Sequence, residues 1–195
     1  LDNVGSSCDS KHFKIIGDVG YGLAKNMSGG SITLYGNAGE SACSGMSGGI
    51  VKIFGSTKNK FCCMPTGKNE GFIDGIVYVQ KNVGDESIIR MRRGNIIVGG
   101  NLGNNSCSEI IAGTVIVLGK IGKNFAENAK RATFIVKDSS IARGYIRSND
   151  TDKTFFNFYI KQMQSIVGKK ILSPKKSQRF FGTKSRKDLV EVFCI

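Results

Sequence analysis

The sequence repeats with a period of nineteen residues, and this repeat restricts the fold more than any other feature. The repeat units open at Gly17, Gly36, Gly55, Lys81, Gly100 and Gly119. Only the step from Gly55 to Lys81 is longer, at 26 residues. Each unit passes through a Met-x-x-Gly-like step into a run of β-forming residues: SITLY, IVKIF, IVYVQ, NIIVG, TVIVL and TFIVK. Such self-similarity is typical of a solenoid, in which stacked units share one core.

The columns of the repeat predict which side chains point inward. The second and fourth positions of every strand are apolar, and period-two alternation places them on one face. The third position changes from polar to apolar along the chain: Thr33, Lys52, Tyr78, Ile97, Ile116 and Ile135. An outward column that becomes apolar should be covered there, by the C-terminal segment or by a partner. With 26 glycines for tight corners, we predict an all-β parallel β-helix of about seven coils.

The six cysteines and the repeated methionines fall into the same columns. Cys43, Cys62 and Cys107 share a position that other coils fill with alanine or isoleucine, so we expect small, buried, inward-facing side chains. Cys62 and Cys63 are adjacent, which is not a metal-ligand spacing, and no CxxC pair is present. We therefore predict no metal site. Cys8 and Cys194 are not explained by the repeat.

No catalytic residues are predicted. His12 is the single histidine, and no motif places an acid or a nucleophile beside it. No column carries the paired carboxylates that a polysaccharide-cleaving solenoid needs. A left-handed hexapeptide acyltransferase is disfavoured, because its coil is a multiple of six residues.

The chain changes character after the repeat ends. The segment TFFNFYIKQMQSIVG has apolar residues at helical spacing, polar capping candidates at 150–152 and Gly168 as a stop. We expect this helix to cap the end of the solenoid, where unpaired strand edges are exposed. The predicted organisation is an N-terminal lead-in over 1–11, a β-helix over 12–139, and a helical cap with a basic tail over 140–195.

The net charge of +13 indicates either a solvated surface or an acidic partner. Nucleic acid is disfavoured as that partner, because no recognised nucleic-acid motif accompanies the charge. No apolar run is long enough to span a membrane, and no secretory signal is evident, so we expect a cytoplasmic protein.

The turns and steps together resemble a known family. Repeated GNAG-like turns with MSGG, MRRG and IAGTVIVLG steps are similar to the GXGXG domain, the right-handed β-helix found in glutamate synthase and in one subunit of formylmethanofuran dehydrogenase. Similarity to the formylmethanofuran dehydrogenase subunit is greater, because of the inserted CMPTGKNEGFIDG coil and the tail segment RFFGTKSRKDLVEVF. The resemblance covers about residues 12–193. It departs from the family pattern at Lys81, at Lys58 and at the AKRA step.

The resemblance implies a non-catalytic structural subunit. In the archaeal enzymes, the tungsten or molybdenum pterin and the dinuclear metal centre lie on other subunits. The similar bacterial formyltransferase/hydrolase complex moves a formyl group from tetrahydromethanopterin to a methanofuran analogue and hydrolyses it to formate. The implied partners are formyltransferase-like and amidohydrolase-like subunits. No cofactor is implied on this chain, and a methanofuran-type coenzyme is implied for the complex.

The same resemblance suggests a task for the positive charge. Methanofuran-type coenzymes carry an acidic glutamyl chain, which a basic rod could guide electrostatically. Arg92, Arg93, Lys130 and Arg131 occupy the same pre-strand turn two coils apart, and they are our candidates for contacting this chain or a partner. Two other functions stay open: a scaffold in a glutamate synthase-like or N-methylglutamate synthase-like complex, and a free-standing solenoid that binds polyanions.

Overall fold

A computed structural model describes residues 1–142, 145–147, 154–168, 178–183 and 190–195. Among these residues, ten strands form one sheet in the order β1-β2-β3-β4-β5-β6-β7-β10-β9-β8. The strands are β1 His12–Ile16, β2 Ser31–Tyr35, β3 Ile50–Ile53, β4 Ile76–Val79, β5 Asn95–Val98, β6 Ala112–Val117, β7 Arg131–Val136, β8 Tyr145–Arg147, β9 Gln178–Thr183 and β10 Glu191–Cys194. A short 3-10 helix spans Ser139–Ala142, and one α-helix, α1, spans Thr154–Val167.

Consecutive coils stack in register. Strands β1 to β7 are parallel, and each strand position pairs with the same position of the next coil, as in Ile32↔Val51 and Ile96↔Val115. A second column of single bridges runs along another side of the coil through Val19, Ala38, Thr57, Val83, Leu102 and Ile121. The predicted all-β solenoid of about seven coils is therefore confirmed.

The predicted inward columns form the core. The second and fourth positions of the six repeat segments from SITLY to TFIVK are fully buried, and the methionine ladder of Met27, Met46 and Met91 is buried with them. Cys43, Cys62 and Cys107 lie in the same core, as the repeat predicted. Cys8 and Cys194 are buried too. Cys194 pairs with Val136 in β10, a strand that the repeat does not predict.

Ladders of polar side chains connect the glycine-type turns that open successive coils. The side-chain oxygen at each turn accepts a hydrogen bond from the backbone N–H one coil later, as Asp18 does from Asn37 and Asn37 does from Ser56. The ladder continues from Asn82 to Asn101 and on to Lys120. Bonds from the Asn37 backbone and side chain lower the pKa of the Asp18 carboxyl. Short Asn and Asp side chains are suited to such turns, because they reach neighbouring backbone groups.

A second turn in each coil has alternating residues in the left-handed region. Glu86, Ile88 and Arg90 have φ of 53°, 61° and 55°, and their counterparts one coil later have 53°, 62° and 54°. Positive φ is costly for a side chain with a Cβ, and most of all for a β-branched one such as Ile88. The backbone is held there by hydrogen bonds between coils, including Glu86 N–H to the carbonyl of Asn104.

Helix α1 lies on the outward face of the sheet. Its buried residues Phe156, Ile160, Met163 and Val167 pack with the outward column of Tyr78, Ile97, Ile116 and Ile135. Coverage of this column was predicted, as was the end of the helix at Gly168, which has φ of 76°. The capping candidates at 150–152 lie outside the described residues.

The end of the solenoid differs from the sequence-based expectation. We expected a helix there, but strand β10 pairs in parallel with β7, and β9 then pairs antiparallel with β10. The edge of β7 is thus covered by backbone hydrogen bonding, which a helix cannot provide. This leaves α1 available for the apolar outward column, whose burial stabilises the fold by roughly 25 cal/mol per Å².

Residues 1–11 hydrogen-bond to the coil that follows. The backbone of Asn3 donates to Tyr21, and that of Ser7 donates to Lys25. The carboxylate of Asp2 accepts from the backbone of Tyr21, nineteen residues away. The segment therefore makes the inter-coil contacts seen elsewhere in the rod.

Candidate partner-binding surface

The inserted residues and the basic pre-strand turns meet at one corner of the rod. We call this the corner surface, and its members are Asn69, Glu70, Arg90, Arg92, Arg93, Glu109, Ile111, Asn128, Lys130 and Arg131. The insertion is fixed in place by a hydrogen bond from the backbone of Gly71 to the carbonyl of Arg90. The backbone of Arg92 donates to Phe72, which anchors the turn that carries Arg92 and Arg93.

Two arginines of the corner surface are paired with acids. Arg90 Nε lies 2.7 Å from Glu109 Oε2, one coil away. Arg92 forms an ion pair with Glu70 of the insertion. All four side chains are between 37% and 46% exposed, so each pair contributes little to stability. Their effect is to neutralise two of the positive charges locally.

The remaining cations are exposed. Arg93, Lys130 and Arg131 are at the surface, and no ion pair is formed by them among the described residues. At roughly 4.8 Å per coil, Arg93 and Arg131 are separated by about 10 Å along the rod. Asp74 occupies the position of Arg93 one coil earlier and limits the positive patch on that side. The patch therefore extends from Arg93 toward the C-terminal coils.

A shallow open pocket of about 370 Å³ lies in this surface, lined by Asn69, Arg90, Glu109, Ile111, Asn128 and Lys130. It combines a paired guanidinium, an exposed ammonium and an apolar floor, with Ile111 38% exposed. Such groups can hold carboxylates by charge-assisted hydrogen bonds. The sequence prediction named Lys130 but missed Arg90, Glu109 and Asn128. Their signal was available, because they share one column at nineteen-residue steps.

The other reactive residues lie apart from this surface. His12 is exposed on β1, and its Nδ1 is 2.7 Å from Ser31 Oγ. Burial raises the pKa of the Cys62 and Cys107 thiols well above the ordinary value, and that of Cys63 to about 11. Within the described ranges, no three His, Cys, Asp or Glu side chains come together in a way that could hold a metal.

The fold places the chain among parallel β-solenoids with a helix packed on the outward face. Among solved structures, it is similar to a chain in the crystal structure of the formyltransferase/hydrolase complex from Methylorubrum extorquens in complex with methylofuran. The TM-score is 0.82 at 24% sequence identity, over 100% of this chain and 74% of the other. At this identity the similarity establishes the fold alone.

The sequence comparisons give no further assignment. No family model matches the chain. No curated protein matches it significantly. Among the described residues, no helix is long and apolar enough to cross a membrane.

Proposed function

We propose that the chain is a structural subunit of a formyltransferase/hydrolase complex in one-carbon metabolism. The observation that carries this proposal is the similarity over the whole chain, at a TM-score of 0.82, to a chain of such a complex. The turn and step motifs add independent support, because they resemble the GXGXG repeats of the β-helical formylmethanofuran dehydrogenase subunit. In this proposal the solenoid is a non-catalytic platform in the cytoplasm, and formyltransferase-like and amidohydrolase-like subunits are its partners.

The corner surface is the part of the platform that we assign to the acidic coenzyme. A glutamyl chain presents carboxylates in series. Among the exposed cations, Arg93 lies two coils, or about 10 Å along the rod axis, from the adjacent Lys130 and Arg131. Arg92 is also predicted from the sequence, but its ion pair with Glu70 reduces its contribution. Exposed cations act over roughly 8–10 Å at physiological salt, so they would guide a tethered anionic chain more than fix it.

Purification of the complex tests the first part. The tagged full chain, isolated from its own cells, should co-elute with the two partner types, and the complex should transfer and hydrolyse formyl groups. Removing the chain should abolish activity by releasing the subunits from one another. Co-elution with a flavin-containing synthase would instead support the amidotransferase scaffold. A lone monomer that binds polyanions would support the free-standing solenoid, and either result would overturn our proposal.

Charge reversal tests the second part. In the assembled complex, Arg93→Glu with Lys130→Glu should raise KM for the coenzyme several-fold, with kcat little changed, because the coenzyme concentration near the surface falls. The increase in KM should become smaller as the salt concentration rises. Lys11→Glu with Lys58→Glu, at exposed positions outside the corner surface, makes the same change in net charge and is the matched control. Equal KM values for the variant and the control at low salt would exclude guidance by this surface.

A further inference from the structure

Within the part of the chain that the structure describes, α1 covers only part of the outward face of the sheet. Strands β1 to β3 expose a surface that we call the open strip, formed by Lys14, Ile16, Tyr35 and Lys52. The half-buried Phe54, which follows β3 and packs against the cluster beneath α1, forms its border. Ile16 is 82% exposed and Tyr35 is 47% exposed. The rings of Tyr35 and Phe54 stack with centroids 4.9 Å apart, and Lys14 Nζ lies 5.6 Å from the Tyr35 centroid. Lys14, Ile16 and Tyr35 are exposed, and Lys52 is half-buried.

The open strip is continuous with the surface that α1 covers. Phe54 makes an edge contact with Tyr78, whose ring is buried in the cluster beneath α1, with centroids 6.2 Å apart. Phe156 near the start of α1 stacks on Phe193 of β10, while Tyr159 reaches Asn95 of β5. The helix therefore crosses the strands in the direction of the earlier coils. The outward face of β1 to β3 is more polar, with Thr33 and Lys52 in the column that α1 covers further along, but it also carries the exposed Ile16 and Tyr35.

The charges of the open strip define what would complement it. Strands β1 to β3 contribute the cations Lys14 and Lys52, and the segments HFKII, SITLY and IVKIF contain no acid. Long basic side chains around exposed aromatic rings favour a ligand that combines apolar residues with carboxylates. Three strands span about 10 Å between their outer members, which two to three helical turns would cover.

We propose that an acidic amphipathic helix of a partner subunit binds the open strip and continues the helical layer that α1 begins. Its apolar residues, at i, i+3, i+4 and i+7, pack on Ile16, Tyr35 and Phe54. Its Asp and Glu residues lie beside Lys14 and Lys52. The inference goes beyond the proposed function, since it concerns one interface and does not depend on which complex contains the chain.

Two other occupants fit the charges poorly. The segment at 169–177, KKILSPKKS, directly follows α1 and has apolar residues, but its four lysines would face Lys14 and Lys52. A second copy of this chain, joined through the same strip, would bring the two basic surfaces together. Like charges placed opposite each other in an interface are destabilising, and specificity usually depends on such repulsion.

Photo-crosslinking in the native complex tests the proposal. A photoreactive phenylalanine derivative at Tyr35 of the full chain should crosslink, in cells, to one peptide of another subunit. That peptide should carry Asp or Glu beside apolar residues at helical spacing. A crosslink to residues 169–177, to a second copy of the chain, or to a partner segment without acids would overturn the proposal. The same holds if no crosslink forms at Tyr35.

Affinity measurements provide a second readout. Tyr35→Ser with Ile16→Ser should weaken binding of the chain to its purified partner subunits by about tenfold or more, as expected for central interface anchors. Lys14→Glu with Lys52→Glu should weaken it too, mainly by slowing association at low salt. Tyr21→Ser is the matched control, because Tyr21 is 41% exposed, stacks with a lysine and lies outside the strip.

The outcomes separate this inference from the proposed function. If the partners are formyltransferase-like subunits but the strip variants bind normally, only the helix proposal is wrong. If the partners belong to another kind of complex and the Tyr35 crosslink still identifies an acidic amphipathic helix, only the proposed function is wrong. Unchanged melting temperatures of the isolated variants would show that the weakened binding is not caused by misfolding.

Discussion

The hydroxyl of Tyr159 donates a 2.6 Å hydrogen bond to Oδ1 of Asn95, 64 residues earlier in the chain. Asn95 is the first residue of β5, and its side chain is on the outward face, where most neighbours beneath α1 are apolar. The bond fixes the position of the helix on the sheet, since apolar packing alone is not directional. It also provides a polar partner for a phenol that the helix brings into a largely buried place.

Removing this hydroxyl should destabilise the protein. Tyr159→Phe keeps the ring and loses the hydrogen bond, so we expect a decrease of about 1 kcal/mol in the free energy of unfolding. Urea denaturation measures this decrease. A double-mutant cycle that combines Tyr159→Phe with Asn95→Ala should give a coupling energy of similar size. Tyr21→Phe, at an exposed tyrosine, should change stability by less than about 0.5 kcal/mol. A coupling energy near zero would mean that the bond does not hold the helix.

Tyr159 should also make the free energy of unfolding depend on pH in the alkaline range. Burial raises the pKa of Tyr159 to about 12, from an ordinary value of 10.0. The unfolded phenol ionises first, so its stabilising contribution is complete below pH 10 and is lost as the pH rises toward 12. The loss should approach about 2–3 kcal/mol. Lysines also titrate there, so the measured quantity is the free energy of unfolding of the wild type minus that of Tyr159→Phe, which should start near about +1 kcal/mol and become negative across this range.

Because the coils stack closely, we expect the effect of a substitution on stability to differ strongly between positions of the turn-glycine column. A Cβ at Gly119 would meet the backbone carbonyl of Gly100 and the side-chain oxygen of Asn101. Gly119→Ala should therefore cost roughly 1–3 kcal/mol through overpacking. Lys81 occupies the same column and already has a side chain, so Lys81→Ala should change stability by less than about 0.5 kcal/mol. Equal denaturation midpoints for the two variants would argue against this explanation.

The left-handed turn predicts a preference among exposed residues. Glu86 is exposed with φ of 53°, and Asn105 and Asn124 fill the same column at 53° and 55°. Asn tolerates this region, whereas β-branched residues are strongly disfavoured there. Glu86→Val should consequently be less stable than Glu86→Asn by roughly 1–2 kcal/mol in chemical denaturation. The reverse order would show that this backbone is less constrained than the hydrogen bonds between coils indicate.

The buried thiols should be inert in the folded protein. Cys62 and Cys107 are fully buried, and burial raises the pKa of both thiols. Since the thiolate is the reactive form, a disulfide reagent at pH 8 should label them only after denaturant is added. Ser10→Cys, at an exposed position, should react within the mixing time of the same assay. Rapid labelling of the native core would contradict the packing of this column.

The sequence was sufficient for those parts of the fold that repeat. Strand positions, inward columns, buried cysteines and the end of α1 all follow from local pattern, because each coil supplies the same contacts to the next. Strand β10 could not be predicted in this way. Its apolar residues Val192 and Cys194 belong to no repeat unit, and its pairing with β7 is formed across a long stretch of chain.

The candidate site was predicted only in part. The basic residues could be identified from one turn of the repeat, but which of them are paired with acids depends on contacts in the folded chain. The pairing of Arg92 with Glu70 required the path of the insertion, and that of Arg90 with Glu109 required side-chain geometry. The nineteen-residue step does place Arg90 beside Glu109 of the next coil, but only the geometry of the two side chains shows that they pair. The open strip could not be predicted from the sequence for a similar reason, because the position of α1 determines which strands are covered.

The seven extra residues at the corner leave the pairing of β3 with β4 in register, with Ile50 opposite Ile76 and Ile53 opposite Val79. The preceding and following coils thus determine the neighbours of each strand residue, while a loop at the corner accommodates a change in the length of the chain. Evolution can therefore vary this rod in two ways that preserve its pairing, by whole coils or by loops at a corner. A deletion of an odd number of residues within a strand would instead turn inward residues outward in every coil contact it touches.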